Sequence, residues 1–152
     1  MKSLDIGTKD ISFTEFDLPQ QALKGIDSAG FTHCTPIQAL SLPITLKGDD
    51  IAAQAQTGTG KTAAFLITIF DRLIRSNQAK GIGPSALIIA PTRELAVQIC
   101  DEAKLLGSHT DFRVLSVFGG IDYIKQQQAL RRGTDIVVAT PGRLIDYMKQ
   151  KV

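Results

Sequence analysis

The sequence has little of what builds a metal centre or a covalent framework. Its two cysteines, Cys34 and Cys100, have no Cys-x-x-Cys spacing, and His33 and His109 are the only histidines that could join them. That set supports neither a zinc site nor a disulfide framework, and Cys100 reads as a core residue. Long hydrophobic runs are missing too, so no stretch is long enough to span a bilayer. The N-terminus carries Asp5 and Asp10 where a secretory signal needs a basic start and an apolar run. These absences point to a reducing cytoplasm and to no membrane partner.

Charge of one sign is also scarce overall, at a net +2, but its distribution is uneven. Residues 1–50 carry 4 Lys/Arg against 7 Asp/Glu, residues 51–111 carry 6 against 5, and residues 112–152 carry 7 against 3. A basic C-terminal third fits an anionic partner on that side, and it fits a solvated face equally well. With 152 residues, 43% of them hydrophobic, the chain is long enough for one domain with a core.

What is present begins with Ala55-Gln-Thr-Gly-Thr-Gly-Lys-Thr62, a glycine-rich turn between two apolar segments. Asp50-Ile-Ala-Ala-Gln-Ala55 reads as a short buried strand, and Ala63-Ala-Phe-Leu-Ile-Thr-Ile-Phe70 as a helix pressed onto a sheet. Such a turn is a phosphate cradle. Backbone N–H groups from Gln56, Thr57, Gly58, Thr59 and Gly60 can wrap a polyphosphate, Lys61 can reach its β/γ oxygens, and the Thr62 hydroxyl can hold Mg²⁺. The expected ligand is a nucleoside triphosphate. Ala55 replaces the glycine that usually opens the pattern.

Upstream, Leu18, Ala22, Ile26 and Ala29 share one helical face, and Gly30 stops that helix. A second short helix begins near Pro36. Thr35, Pro36 and Gln38 spell its capping box, while the same Gln38 carboxamide can pair with the N6 and N7 edge of adenine under a ring from Phe13 or Phe31. Downstream, Ala86–Ala90, Val114–Phe118 and Asp135–Ala139 read as strands, each followed by a helix, which predicts a parallel sheet. The helix after the first of these carries Leu95, Ile99 and Leu106 on one stripe, with Asp101, Glu102 and Lys104 elsewhere. Ser76 to Pro84 is the only linker-like stretch.

Three βα turns stand out. Pro91-Thr-Arg-Glu-Leu95 and Thr140-Pro-Gly-Arg143 place free N–H groups and an arginine at the carboxyl edge of the sheet, and Gly119-Gly120 adds a backbone-permissive turn. Thr92 and Thr140 also suit plain helix capping. Three such turns on one edge beside a triphosphate site point to a second polyanion.

Taken together, from about Phe13 to Arg143, these segments resemble the DEAD-box family of ATP-dependent RNA helicases. Gly30-Phe-Thr-His-Cys-Thr-Pro-Ile-Gln38 resembles the adenine-reading Q motif, with Phe13 seventeen residues before Gly30, and AQTGTGKT is the family's usual motif I, Ala55 included. PTREL resembles motif Ia, Gly119-Gly120 the glycine doublet and TPGR motif Ib. The resemblance implies an α/β, RecA-like phosphate-loop NTPase domain, with a mostly parallel sheet flanked by helices, that uses ATP and Mg²⁺. Lys61 and Thr62 would be catalytic and Thr62 the metal contact. Phe13, Phe31, Thr35, Gln38 and residues 56–62 would bind nucleotide. Pro91, Thr92, Arg93, Gly119, Gly120, Thr140, Pro141, Gly142 and Arg143 would contact the RNA backbone. CTPIQALSLPITLKG and GRLIDYMKQ are most similar to the bacterial RhlB branch, with RhlE-like helicases next, which implies RNA-degradation proteins as partners. Cys34 stands where the family commonly has proline.

One departure is large. Nothing in the sequence reads Asp-Glu-Ala-Asp, and there is no Ser-Ala-Thr motif and no second RecA-like domain. The resemblance therefore covers residues 1–152 as the N-terminal portion of the first RecA-like domain, from Q motif to motif Ib. A fragment, a truncated product or the ordered part of a larger domain would fit, with a non-catalytic RNA- or nucleotide-binding module as the alternative to a helicase segment. A different phosphate-loop enzyme, such as a small kinase, fits the Q motif and the three turns poorly. The strands bearing the two absent motifs lie, in that fold, between the phosphate-loop strand and the motif Ia strand. A gap in the sheet is expected.

Overall fold

A computed structural model of the chain describes residues 10–76 and 83–151. The chain divides into two compact units, residues 1–75 and 76–152. Most of the linker-like stretch from Ser76 to Pro84 lies outside the described residues, as does the start of the polar leader.

The first unit is helical. A single 3-10 turn, Phe13–Glu15, is closed by a capping box in which Ser12 N–H donates to Glu15 Oε1 at 2.9 Å, and it buries Phe13. Helix α1, Gln20–Ser28, places Ala22 and Ile26 in the core, with Leu18 buried just before it and Ala29 half-buried at its C-cap, and Gly30 takes φ +76° just past its end. Helix α2, Pro36–Thr45, starts where the Thr-Pro-x-Gln pattern says it should. Helix α3, Lys61–Ser76, is the longest in the chain's described residues and buries Ala63, Ala64, Leu66, Ile67 and Phe70. Hydroxyls tie α2 to α3, with Thr45 Oγ1 2.7 Å from Thr68 Oγ1. The buried Asp71 carboxylate accepts from Arg75 Nε at 2.7 Å, and Arg75 Nη2 reaches Asp17 at 3.2 Å, which pins α3 to the segment before α1.

The second unit carries a three-stranded parallel sheet of β1 (Ala86–Ile89), β2 (Val114–Val117) and β3 (Ile136–Ala139) in the order β1-β3-β2. Ala86 and Val114 both lie opposite Ile136, so the strands are in step, and all of β3 is buried because it has a neighbour on each side. Helix α4, Arg93–Leu106, packs on β2 and β3 through Ile99, Cys100, Ala103 and Leu106. Helices α5, Tyr123–Arg131, and α6, Pro141–Lys149, complete the unit. A core cluster forms from Val117, Val137, Ala139 and Tyr147, with Leu115, Tyr123, Leu130 and Leu144 packed against it. Parallel strands joined by helical crossovers are what the alternating pattern predicts.

The expected strand at Asp50–Ala55 is not formed. Residues 49–56 have no ladder partner among the described residues, and Ile51 is 42% exposed. The reason is physical. A strand is held by its neighbours, and apolar sequence alone cannot supply the lateral N–H and C=O partners. Within the second unit, one face of β1 is left uncovered, with Leu87 and Ile89 exposed. No helix among the described residues is long and apolar enough to cross a membrane.

Candidate functional site

The phosphate loop lies wholly in the first unit. Gly58 and Gly60 take φ +81° and +88°, a region open to glycine at little cost, and they fold residues 57–60 into a turn that opens directly into α3. Thr59 Oγ1 donates to the Gln56 carbonyl at 2.8 Å. The Lys61 ammonium folds back, donating to the Gln56 carbonyl at 2.6 Å and to the Ala55 carbonyl. Two of the three ammonium protons thus serve carbonyls that would otherwise face solvent, and an incoming phosphate would offer them a stronger, charged acceptor.

Gln38 joins this loop to α2. Its side chain is 3% exposed, with Oε1 accepting from Thr35 N–H at 2.8 Å and Nε2 donating to the Gly60 carbonyl at 3.1 Å. Capping and loop support are therefore done by one carboxamide, and each of its two polar atoms keeps one further hydrogen-bonding site. The Thr35 hydroxyl beside it is buried without a partner. A Cβ at Gly60 would sit 2.5 Å from Gln38 Nε2 and 3.0 Å from Thr35 Oγ1. Only glycine fits that approach, and the cradle it leaves, with an orphaned hydroxyl at its wall, suits a polar ligand. Thr62 is half-buried in the first turn of α3. Phe13 lies in the core and Phe31 is half-buried. Burial pushes the Cys34 thiol up to about 11, helped by the negative charge of Glu15, so it is neutral at physiological pH. No group of three or more His, Cys, Asp or Glu among the described residues could hold a metal ion.

The second unit gathers the three βα turns. Pro91, Thr92, Arg93, Gly119, Thr140, Gly142 and Arg143 line one open cavity of about 780 Å³, together with Glu94 and Asp146. Gly120 and Pro141 are exposed beside it and are not part of its lining. The turns are built differently. Thr92 caps α4, its hydroxyl accepting from Leu95 N–H at 3.2 Å, whereas Thr140 makes no side-chain cap bond to α6. Arg93 Nη1 donates to the Gly119 carbonyl at 3.1 Å and lies so close to Gly120 that a Cβ there would meet it at 2.2 Å. Arg143 lies over the rings of Tyr123 and Tyr147, 5.1 and 5.6 Å from their centroids. Glu94 and Asp146 partly offset the two guanidinium charges, a feature that charge counts over whole thirds of the chain conceal. Sequence reasoning also missed Gln126, which bonds Arg143 from α5. The spacing of Arg143 and Tyr147, four apart and thus on one helix face, was the signal that could have found the aromatic support.

The comparisons with known proteins agree with this geometry. A model of the DEAD/DEAH box helicase family matches residues 35–152. The chain belongs to that family. The ATP-dependent RNA helicase RhlB of Xanthomonas axonopodis pv. citri is 55% identical over 144 residues, 93% of this chain and 25% of that protein. RhlB of Pseudoalteromonas atlantica is 50% identical over 92% of this chain and 33% of its own length. The resemblance to the RhlB branch is thereby borne out. A crystal structure of a DEAD box protein from the hyperthermophile Methanococcus jannaschii superposes with a TM-score of 0.83 at 35% identity, covering 93% of this chain and 38% of that one. The RecA-like reading of the fold stands on that match. The chain spans about a quarter to a third of the length of these curated relatives.

Proposed function

We propose that this chain is the nucleotide- and RNA-binding N-terminal part of a DEAD-box, RhlB-like RNA helicase, which couples ATP hydrolysis to RNA unwinding in the longer protein. The observation that carries the reading is Gln38. A buried carboxamide bonded both to the start of α2 and to the Gly60 carbonyl makes the base-reading segment and the phosphate loop one hydrogen-bonded assembly. Its remaining N–H and lone pair match the N7 and N6 edge of adenine. Lys61, the loop amides of residues 56–60 and Thr62 would hold the triphosphate and Mg²⁺, which supply the phosphoryl-transfer chemistry. Thr35 would gain a partner for its orphaned hydroxyl.

In the second unit, Arg93, Thr140 and Arg143, with the N–H groups around Gly119, Gly120 and Gly142, would take RNA phosphates and sugars. Such contacts position a strand without reading its sequence. A cytoplasmic location and partners in RNA degradation go with this reading. The competing role, a non-catalytic binding module, is favoured by one observation: residues 49–56 carry no strand among the described residues.

The test is nucleotide choice in a longer chain that carries the acidic run. ATP should support RNA-stimulated turnover and GTP should not, and Gln38→Ala should weaken ATP more than it weakens inorganic triphosphate. Equal use of ATP and GTP by the wild type would end the adenine-reading claim.

A further inference from the structure

Gln126 is a polar residue spent in an expensive place. It sits on α5 at 4% exposure, although the exposed faces of that helix could carry an amide freely. If packing were its only task, leucine or methionine would fill the position without burying polar atoms. Its contacts explain the choice. Nε2 donates to the Phe118 carbonyl at 3.0 Å, while Oε1 lies 3.3 Å from Arg143 Nη1 and 3.4 Å from the Tyr147 hydroxyl, which itself donates to the Tyr123 carbonyl at 3.0 Å.

Three carbonyls around the glycine doublet are held by side chains in this way. Phe118 is held by Gln126, Gly119 by Arg93, and Ile121 by Arg143 Nη2 at 3.5 Å. Carbonyl oxygens repel a phosphate, so a turn that is to accept one benefits from having those oxygens already occupied. Arg143, in turn, is fixed by the acceptor on Gln126 and by two tyrosine rings whose centroids are 4.7 Å apart. A guanidinium so held keeps N–H groups for a further anion and has lost little freedom still to be surrendered on binding.

We propose that Gln126 is a positioning residue that sets Arg143 and the Gly119-Gly120 turn together for the RNA backbone. It touches no ligand. The inference rests on the RNA-edge reading above and adds to it a group on a different helix, linked to both of the turns it serves.

The test measures binding of a fluorescently labelled oligouridylate by anisotropy in the full chain, for Gln126→Leu, Arg143→Ala and the double variant, with thermal melts as controls. Gln126→Leu should weaken RNA about 3–10-fold while leaving nucleotide affinity unchanged, the size expected of one or two net hydrogen bonds. The double variant should bind no worse than Arg143→Ala, because both losses pass through one guanidinium. Gln126→Glu keeps the acceptor for Arg143 and should bind better than Gln126→Leu. Tyr147→Phe, which removes one hydroxyl and no packing, should show a smaller loss and carries the test if Gln126→Leu fails to fold. Losses that multiply in the double variant, or wild-type binding by Gln126→Leu beside a weakened Arg143→Ala, would overturn the proposal alone. Wild-type binding by Arg143→Ala would overturn both the proposal and the RNA-edge reading.

Discussion

The two units hold glycine-bearing turns, each opening into a helix, with very different support. In the second unit every turn hangs from a strand with a ladder partner, and β3 is wholly buried. In the first, the phosphate loop follows residues 49–56, which run exposed and unpaired, and the loop is held instead by α3 and by the Gln38 side chain. A sheet fixes a turn through its backbone, and a side-chain clamp fixes it at one atom. The comparison teaches that the groups that would bind a triphosphate are assembled here while the rigid strand beneath them is not.

The largest consequence concerns turnover. The 152 residues alone should show ATPase activity near background with or without RNA, and extending the chain through an acidic run and a second domain should restore it. Charge developing in phosphoryl transfer goes unmatched without the acidic pair and an opposing arginine, and the arginine alone is worth about 10³–10⁵-fold. RNA-stimulated hydrolysis by the short chain, free of longer enzyme, would break the comparison outright.

Stability should report the same contrast. Ile136 is fully buried in the central strand, so Ile136→Ala should cost about 2–5 kcal/mol in urea unfolding. Ile51→Ala should stay within about 0.5 kcal/mol, because the side chain is 42% exposed. An equal cost at both positions would mean that residues 50–55 pack as a strand after all.

Much of this was legible in the sequence. The strands at Ala86, Val114 and Asp135, the start of α2 with its Thr35 N–H bonded to the Gln38 carboxamide, and the Gly58 and Gly60 turn all depend on local pattern, and all appear. The strand at Asp50–Ala55 does not, because its apolar run specifies a preference that only a lateral partner can realise. Gln126 was illegible for a related reason. Its role arises when α5, α6 and the glycine turn meet, and nothing within a few residues of it announces a buried amide.

The smallest effects separate the two threonines that sequence could not tell apart. Thr92→Ala removes a cap bond and should cost about 0.5–2 kcal/mol of stability. Thr140 makes no such bond, so Thr140→Ala should leave stability closer to wild type and instead weaken oligouridylate binding about 3–10-fold. The reverse pattern would make Thr140 the structural cap and Thr92 the contact.

The most direct test of the account is Lys61→Ala in a longer chain that hydrolyses ATP. Lys61 is half-buried at the mouth of the loop and spends its protons on the Ala55 and Gln56 carbonyls, so its loss should leave the thermal melt nearly unchanged. RNA-stimulated turnover should fall by about 10²–10³-fold or more, the scale of removing one preorganised donor from developing charge. Wild-type turnover by that variant would contradict the assignment of the phosphate loop as the ATP site.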